Sequence, residues 1–293
     1  MKHSTILLTA LCGLAAASSI HAQTAAPVTP PPKVIQIYRE VIKPGHGPAH
    51  TKTEAGWPAA FAKANWPSHY IALTSASGPS EAWFISGWES YAAYENDGKA
   101  IEKNISLQTE LDRLSAADGD HVANMISMFA TYREDLSYRA PVSIPEMRYF
   151  MLTTYRVKPG RGTDFVAARK IVQAAHEKAN MDEHWAMYQV TSGAAAGTYL
   201  LMLPMKSMAA LDAAQEMHGK AFEDAMGEEN QKKVADLMNA SVDSSTAVLF
   251  AMSPKMSYPP KEWIAADAYW APKAERAATA ADKSAKLPAK QKN

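Results

Sequence analysis

Lys43-Pro44-Gly45-His46-Gly47 returns 115 residues later as Lys158-Pro159-Gly160-Arg161-Gly162, and this echo decides the fold. At the same spacing, Lys63-Ala64-Asn65 and the His69-Tyr70 that follows return as Lys178-Ala179-Asn180 and His184-Trp185. Glu89-Ser90-Tyr91-Ala92-Ala93-Tyr94 is similar to Lys206-Ser207-Met208-Ala209-Ala210-Leu211, and Leu136-Ser137-Tyr138 to Met256-Ser257-Tyr258. The matches keep their order, and their spacing grows only by loop-sized steps. That is what a duplicated module leaves behind. The units run 34–138 and 148–258, with a linker at 139–147.

Within each unit the pattern is the same. Val34 to Ile42 (VIQIYREVI) is a β-branched run closed by the Lys-Pro-Gly turn signal. Gly47 to Asn65 carries helix formers, with a kink expected at Pro58. Strands are expected over His69–Ser75 and Ala82–Trp88, then helix from Tyr91 to about Val122 with breaks at Gly98 and Gly119. A last strand follows over Ile126–Arg133. The second unit repeats this with Tyr149–Val157, Thr163–Asn180, Trp185–Thr191, Thr198–Met205, Met208–Ala240 and Thr246–Met252. The order β-α-β-β-α-β is the split βαβ, or ferredoxin-like, arrangement. One such sheet leaves a face uncovered. The expected class is therefore α+β, with two tandem ferredoxin-like repeats forming an intramolecular α+β barrel.

The strand, Lys-Pro-Gly-x-Gly and helix entry, together with the element order, resembles the dimeric α+β barrel superfamily over both repeats. That superfamily includes small cofactor-free monooxygenases of antibiotic synthesis, NIPSNAP-like proteins, stress-responsive barrel proteins, and haem enzymes such as chlorite dismutase and dye-decolourising peroxidases. The resemblance implies the fold. It carries no catalytic motif over onto residues of this chain.

Outside the repeats, Met1-Lys2-His3, an apolar run from Ile6 to Ala17 and the ending Ile20-His21-Ala22 read as a signal peptide over 1–22. A Pro-rich leader (23–33) follows, and a C-terminal extension (259–293) is expected to be disordered from about residue 273. The expected location is exported, periplasmic or secreted. Cys12, the single cysteine, falls in the signal peptide, so the mature chain has no thiolate or disulfide chemistry. The formal net charge is +0, which argues against a nucleic-acid partner. No later run is apolar for the roughly 20 residues a membrane helix needs. A monomer or a homodimer is expected.

His69 and His184, retained in both copies at the start of the second strand, are the candidate catalytic residues, because imidazole titrates near neutrality. The alternative is a structural role, with each histidine satisfying a nearby carbonyl. His46 and His50 stand four apart, but Pro48 lies between them and the second copy has Arg161 and Phe165 at these places. No metal is expected. No cofactor is expected either, with haem the alternative and His121 and His218 the histidines weighed for it. Arg39 shares one face of this strand with Ile35, Ile37 and Val41, and Gln36, Tyr38 and Glu40 share the other; a buried Arg39 or Glu40 would need an ion-pair or ligand partner, and an edge position exposed to water is the alternative.

Aromatic residues concentrate in the first copy. A pocket between sheet and helices there is expected to touch Tyr38, Trp66, His69 and Trp83. The second copy has Thr153, Met181 and Leu200 for the three aromatics and keeps only His184. The functional expectation is a small hydrophobic or aromatic molecule bound in a barrel cavity. A cofactor-free or haem-dependent oxidoreductase of the same superfamily, and a structural or assembly protein without a ligand, stay open beside it.

Overall fold

A computed structural model describes residues 27–217 and 219–271. The expected signal peptide with Cys12, the start of the expected leader, His218 and the residues beyond 271 lie outside the described residues. Strand β1 (Val34–Ile42) follows from its β-branched run. It stops where Gly45 takes φ of 82°, a left-handed turn that suits glycine, and Gly160 repeats this at 77°. Helix α1 (Gly47–Glu54) begins with Pro48 in its first turn, where a missing N–H costs nothing.

Helix α2 (Gly56–Lys63) starts after a break at Ala55. The break answers to Pro58, which has no N–H to return to the Glu54 carbonyl. Asn65 and Asn180 both carry the chain out of the helix with left-handed φ, 48° and 47°. Strands β2 (Tyr70–Ser75) and β3 (Glu81–Trp88) come next, then α3 (Tyr91–Lys103), α4 (Ile105–Asp118) and β4 (Val122–Tyr132).

The helical break between α3 and α4 falls at Asn104 and not at Gly98. The Asn104 side chain accepts from the Leu107 N–H and starts a new helix, whereas Gly98 is carried inside α3. The second half contains β5 (Tyr149–Val157), α5 (Gly162–Lys178), β6 (Ala186–Ser192), β7 (Thr198–Met205), α6 (Ala209–Met217), α7 (Lys220–Met226), α8 (Glu228–Ser241) and β8 (Val242–Met252). Helix α9 (Lys261–Ala266) follows, and a single 3-10 turn, Ala268–Trp270, comes after it. No helix among the described residues is long and apolar enough to cross a membrane.

All eight strands form one closed antiparallel barrel in the order β1-β3-β2-β8-β5-β7-β6-β4. Each half contributes four consecutive strands in one spatial order, β4-β1-β3-β2 and β8-β5-β7-β6. The halves are joined at β2–β8 and β4–β6. Closure removes the free edges. It is reinforced by an exchange of tyrosines. Tyr138, after β4, bridges to Trp185, and its hydroxyl donates to the Met181 carbonyl. Tyr258, after β8, bridges to Tyr70 and donates to the Trp66 carbonyl. Each half thus ends by tying down the start of the other half's second strand.

The barrel interior is a packed core and not an open cavity. Ile35, Ile37, Leu73, Trp83, Phe150, Leu152, Leu200 and Phe250 fill it, and Trp270 from the C-terminal extension plugs it at 1% exposure. Pro32 of the leader lies over β3, so close to Gly87 that a Cβ there would meet its ring at 2.3 Å.

Candidate functional site

Because both faces of the strands are covered, each strand divides its side chains between the barrel core and the helix layer. On β1, Ile35 and Ile37 point into the barrel, and Gln36, Tyr38 and Glu40 point to the helices. On β3, Trp83 and Ile85 take the barrel side, and Phe84, Ser86 and Trp88 the helix side. Trp83 therefore does not line the pocket expected of it. Its ring packs against Phe250 at 5.3 Å in the barrel, and its Nε1 donates to Glu81 Oε2 at 2.9 Å. Arg39, on the same side, makes a two-pronged pair with Glu81 at 2.9 and 2.5 Å. That pair is its partner.

A cavity of about 690 Å³ opens between the first half's sheet and α1–α4. Tyr38, Trp66 and His69 line it. So do residues that the sequence reading did not assign there, chiefly Trp57, Phe61, Tyr70, Trp88 and Tyr94. Tyr38 sits at the rim, 39% exposed, with Gln36 Nε2 donating to its hydroxyl at 3.1 Å. Burial, and then Tyr94 nearby, push the Tyr38 hydroxyl upward in pKa, so it stays protonated at neutral pH. Helix α3 covers one side without a single fully buried residue, held to the wall opposite by Ser68 Oγ donating to Asp97 at 2.7 Å.

His69 stands where this cavity meets a second one of about 440 Å³ at the barrel mouth. Its ring lies 4.8 Å from Tyr258. Burial lowers its pKa, partly opposed by the Tyr258 backbone, so the ring is neutral at pH 7 and able to accept a proton. His184 has a different setting. Its side chain is partly exposed, its Nδ1 donates to the Arg139 carbonyl at 2.6 Å, and it lines neither cavity. That is the carbonyl contact of the alternative reading.

The most charged part of the wall is a cluster that crosses three elements. His50 of α1 places Nε2 2.8 Å from Glu40 Oε2 of β1 and 3.7 Å from Asp118 Oδ2 of α4. Glu54, one helical turn after His50, completes it, and all four are buried. Burial, reinforced by Glu40 and Asp118, raises the Glu54 carboxyl from 4.5 to about 9. Burial also raises Asp118, against the pull of His50. His46 does not join this group. Its Nδ1 meets that of His121, one of the two histidines weighed for haem, at 3.1 Å.

The Glu54 shift has a measurable consequence. In the fold the carboxyl keeps its proton up to about pH 9, while in the unfolded chain it ionises from about 4.5. Unfolding then releases a proton, so the metal-free protein loses stability as pH rises through that window. Glu54→Gln removes the loss. In the presence of chelator its melting temperature is expected to exceed that of the parent by a few degrees at pH 8, on a scale of roughly 2–4 °C per kcal/mol for a chain of this size. The margin should vanish near pH 4. Thermal melts across this range check it, and a variant less stable than the parent at pH 8 would refute the assignment.

No protein-family model and no curated protein matches the chain. Solved structures do. A candidate monooxygenase from Fusobacterium nucleatum superposes with a TM-score of 0.51 at 12% identity, covering 76% of this chain and 93% of that one. An anthrone oxidase-like protein gives 0.50 at 11%, covering 78% and 94%. A chlorite dismutase from Candidatus Nitrospira defluvii gives 0.46 at 9%, covering 80% and 96%. At such identities the likeness is one of fold alone, a closed eight-stranded antiparallel barrel with helices packed outside it.

Proposed function

We propose that this protein binds a small hydrophobic or aromatic molecule in the cavity between the sheet and helices of its first half. The observation that carries the reading is the wall of that cavity. Its volume of about 690 Å³ falls in the roughly 300–1,000 Å³ range of small-molecule sites. Eight aromatic side chains from the strand, loop and helix walls meet there, beside one neutral imidazole, His69. Flat apolar rings favour a flat apolar guest, in offset or edge-to-face contact. The polar atoms, Tyr38 and His69, orient it. The barrel interior, by contrast, is filled with side chains and leaves room only at its mouth. The fold neighbours named for oxygenase and oxidase chemistry reach this chain through fold alone, so the reading stated is binding.

We infer too that the halves are tandem ferredoxin-like copies of one module and that the first copy alone kept the site. In the second, Thr153 and Met181 stand for Tyr38 and Trp66.

The test is a titration with the naphthalene dye ANS and a panel of uncharged polycyclic aromatics, read by dye and tryptophan fluorescence. Tyr38→Ala and Trp88→Ala are expected to weaken binding about tenfold or more each, as loss of roughly 1.4 kcal/mol or more of contact would. Ser86→Trp, which fills the cavity, should abolish it. Unchanged binding in all three folded variants would place the ligand elsewhere.

A further inference from the structure

We propose that Glu40, His50, Glu54 and Asp118 bind one divalent transition-metal ion in the wall of the first half's cavity. The four side chains each offer a ligand atom, and these atoms lie within 4.8 Å of one another. Ligands opposite each other across an ion held at about 2.1 Å are about 4.2 Å apart, so the cluster closes on an ion with small side-chain shifts.

The electrostatics point the same way. His50 is 2% exposed, Glu54 and Asp118 5%, and Glu40 8%. Three carboxyl groups share that depth with a single imidazole, and a divalent cation is the counter-charge that would let all three ionise together. Asp118 Oδ1 is buried and has no hydrogen-bond partner among the described residues. It is a lone pair already stripped of water.

The second half supplies an internal comparison. Glu40 pairs with Ala82 and Met125, and in the second half Tyr155 pairs with Tyr199 and Ser245 in the same register. Gly47 and Gly162 open the matched helices, so His50 and Glu54 correspond to Phe165 and Arg169. The Lys43 N–H bonds to the His121 carbonyl and the Lys158 N–H to that of Ser241, which sets Asp118 against Met238. Tyr155, Phe165 and Met238 pack there as ordinary core, with the Arg169 guanidinium 5.9 Å from the Tyr155 ring. The same fold is therefore built at this place from two aromatics, a methionine and a cation. Nothing in its packing requires three acids and a histidine.

One imidazole with carboxylates suits Mn²⁺, Fe²⁺ or Zn²⁺. Ca²⁺ and Mg²⁺ take all-oxygen shells, and a site without sulfur does not select Cu⁺. Glu40, Glu54 and Asp118 also line the cavity, so the remaining coordination positions face it. A bound molecule carrying an oxygen donor, such as a phenol or an enol, would reach the ion there. This last point rests on the ligand reading above, whereas metal binding does not.

The experiment is calorimetric titration of the chelator-stripped, full-length protein with Mn²⁺, Zn²⁺ and, under anaerobic conditions, Fe²⁺, with no organic ligand present. One ion per chain is expected for at least one of the three, with a raised melting temperature. His50→Phe borrows the residue that the second half packs at this place, and Asp118→Asn keeps the shape. Each should weaken binding by more than about 100-fold, beyond the 10–100-fold typical of losing an outer partner of a ligand. Circular dichroism confirms that the variants fold. His46→Ala, which breaks only the outer histidine pair, should bind as the parent does.

The proposal is overturned if none of the three ions binds at one per chain. It is equally overturned if binding survives both His50→Phe and Asp118→Asn, or if His46→Ala loses binding while His50→Phe keeps it. Dye binding and metal binding are measured apart, so either reading can fail alone.

Discussion

Trp83→Ala is expected to cost about 3–5 kcal/mol of stability, the usual price of emptying a buried aromatic site. The ring is 4% exposed and inside the barrel, against Phe250, with the Arg39 guanidinium 5.7 Å from its centre. Truncation leaves a void that the neighbouring β-sheet backbone is too rigid to fill. It also strips one donor from Glu81, which keeps its two bonds to Arg39. Denaturant unfolding should show a lower midpoint with an unchanged slope. Folded Trp83→Ala should still bind aromatic dye, because the residue does not touch the cavity. The opposite result, near-parent stability with dye binding lost, would return Trp83 to the ligand and overturn the assignment of faces on β3.

Separating the halves should have a larger effect still. Residues 27–138 or 139–271 expressed alone are expected to associate or precipitate. Loss of the partner half uncovers the edges of β2 and β4, which pair with β8 and β6, and with them the apolar face that carries Ile35, Ile37 and Leu73. An open edge beside an apolar face is a template for pairing with another chain. Each half also loses a tether: without the second half, Tyr258 no longer ties Tyr70 and Trp66. Light scattering on each half should report dimers or larger species. Mixing the two during refolding should recover the barrel. A stable monomeric half would show that the barrel is not the folding unit, and would weaken the case that the halves arose as copies that cannot cover themselves.

Local chemistry was legible in the chain because it acts over a few residues. Gly45 and Gly160 turn where Lys-Pro-Gly announces a turn, Pro58 coincides with the helix break at Ala55, and the paired Asn65 and Asn180 end their helices alike. The likeness between the two halves was legible for the same reason. These short signals recur in order, and each marks a backbone conformation that must be formed twice. The α+β class and the need for two sheets followed from that.

Which face of a strand meets which partner was decided only by tertiary structure. The alternation rule tells inside from outside when one side of a sheet meets water. Here Ala82, Phe84 and Trp88 face helices while Trp83 and Ile85 face the barrel, and both sets are apolar, so the pattern offers no preference. His69 and His184 illustrate the same limit: identical local motifs place one beside a cavity and the other on the Arg139 carbonyl, because the walls around them differ. The Glu40–His50–Glu54–Asp118 cluster lay furthest from view. Only His50 and Glu54 are one helical turn apart; Glu40 arrives on a strand and Asp118 on a helix far along the chain. A trace was present in the mismatch of the copies, acids and a histidine set against Tyr155, Phe165, Arg169 and Met238. It became a site only when the docking of α1 and α4 against β1 brought the four side chains to one buried point.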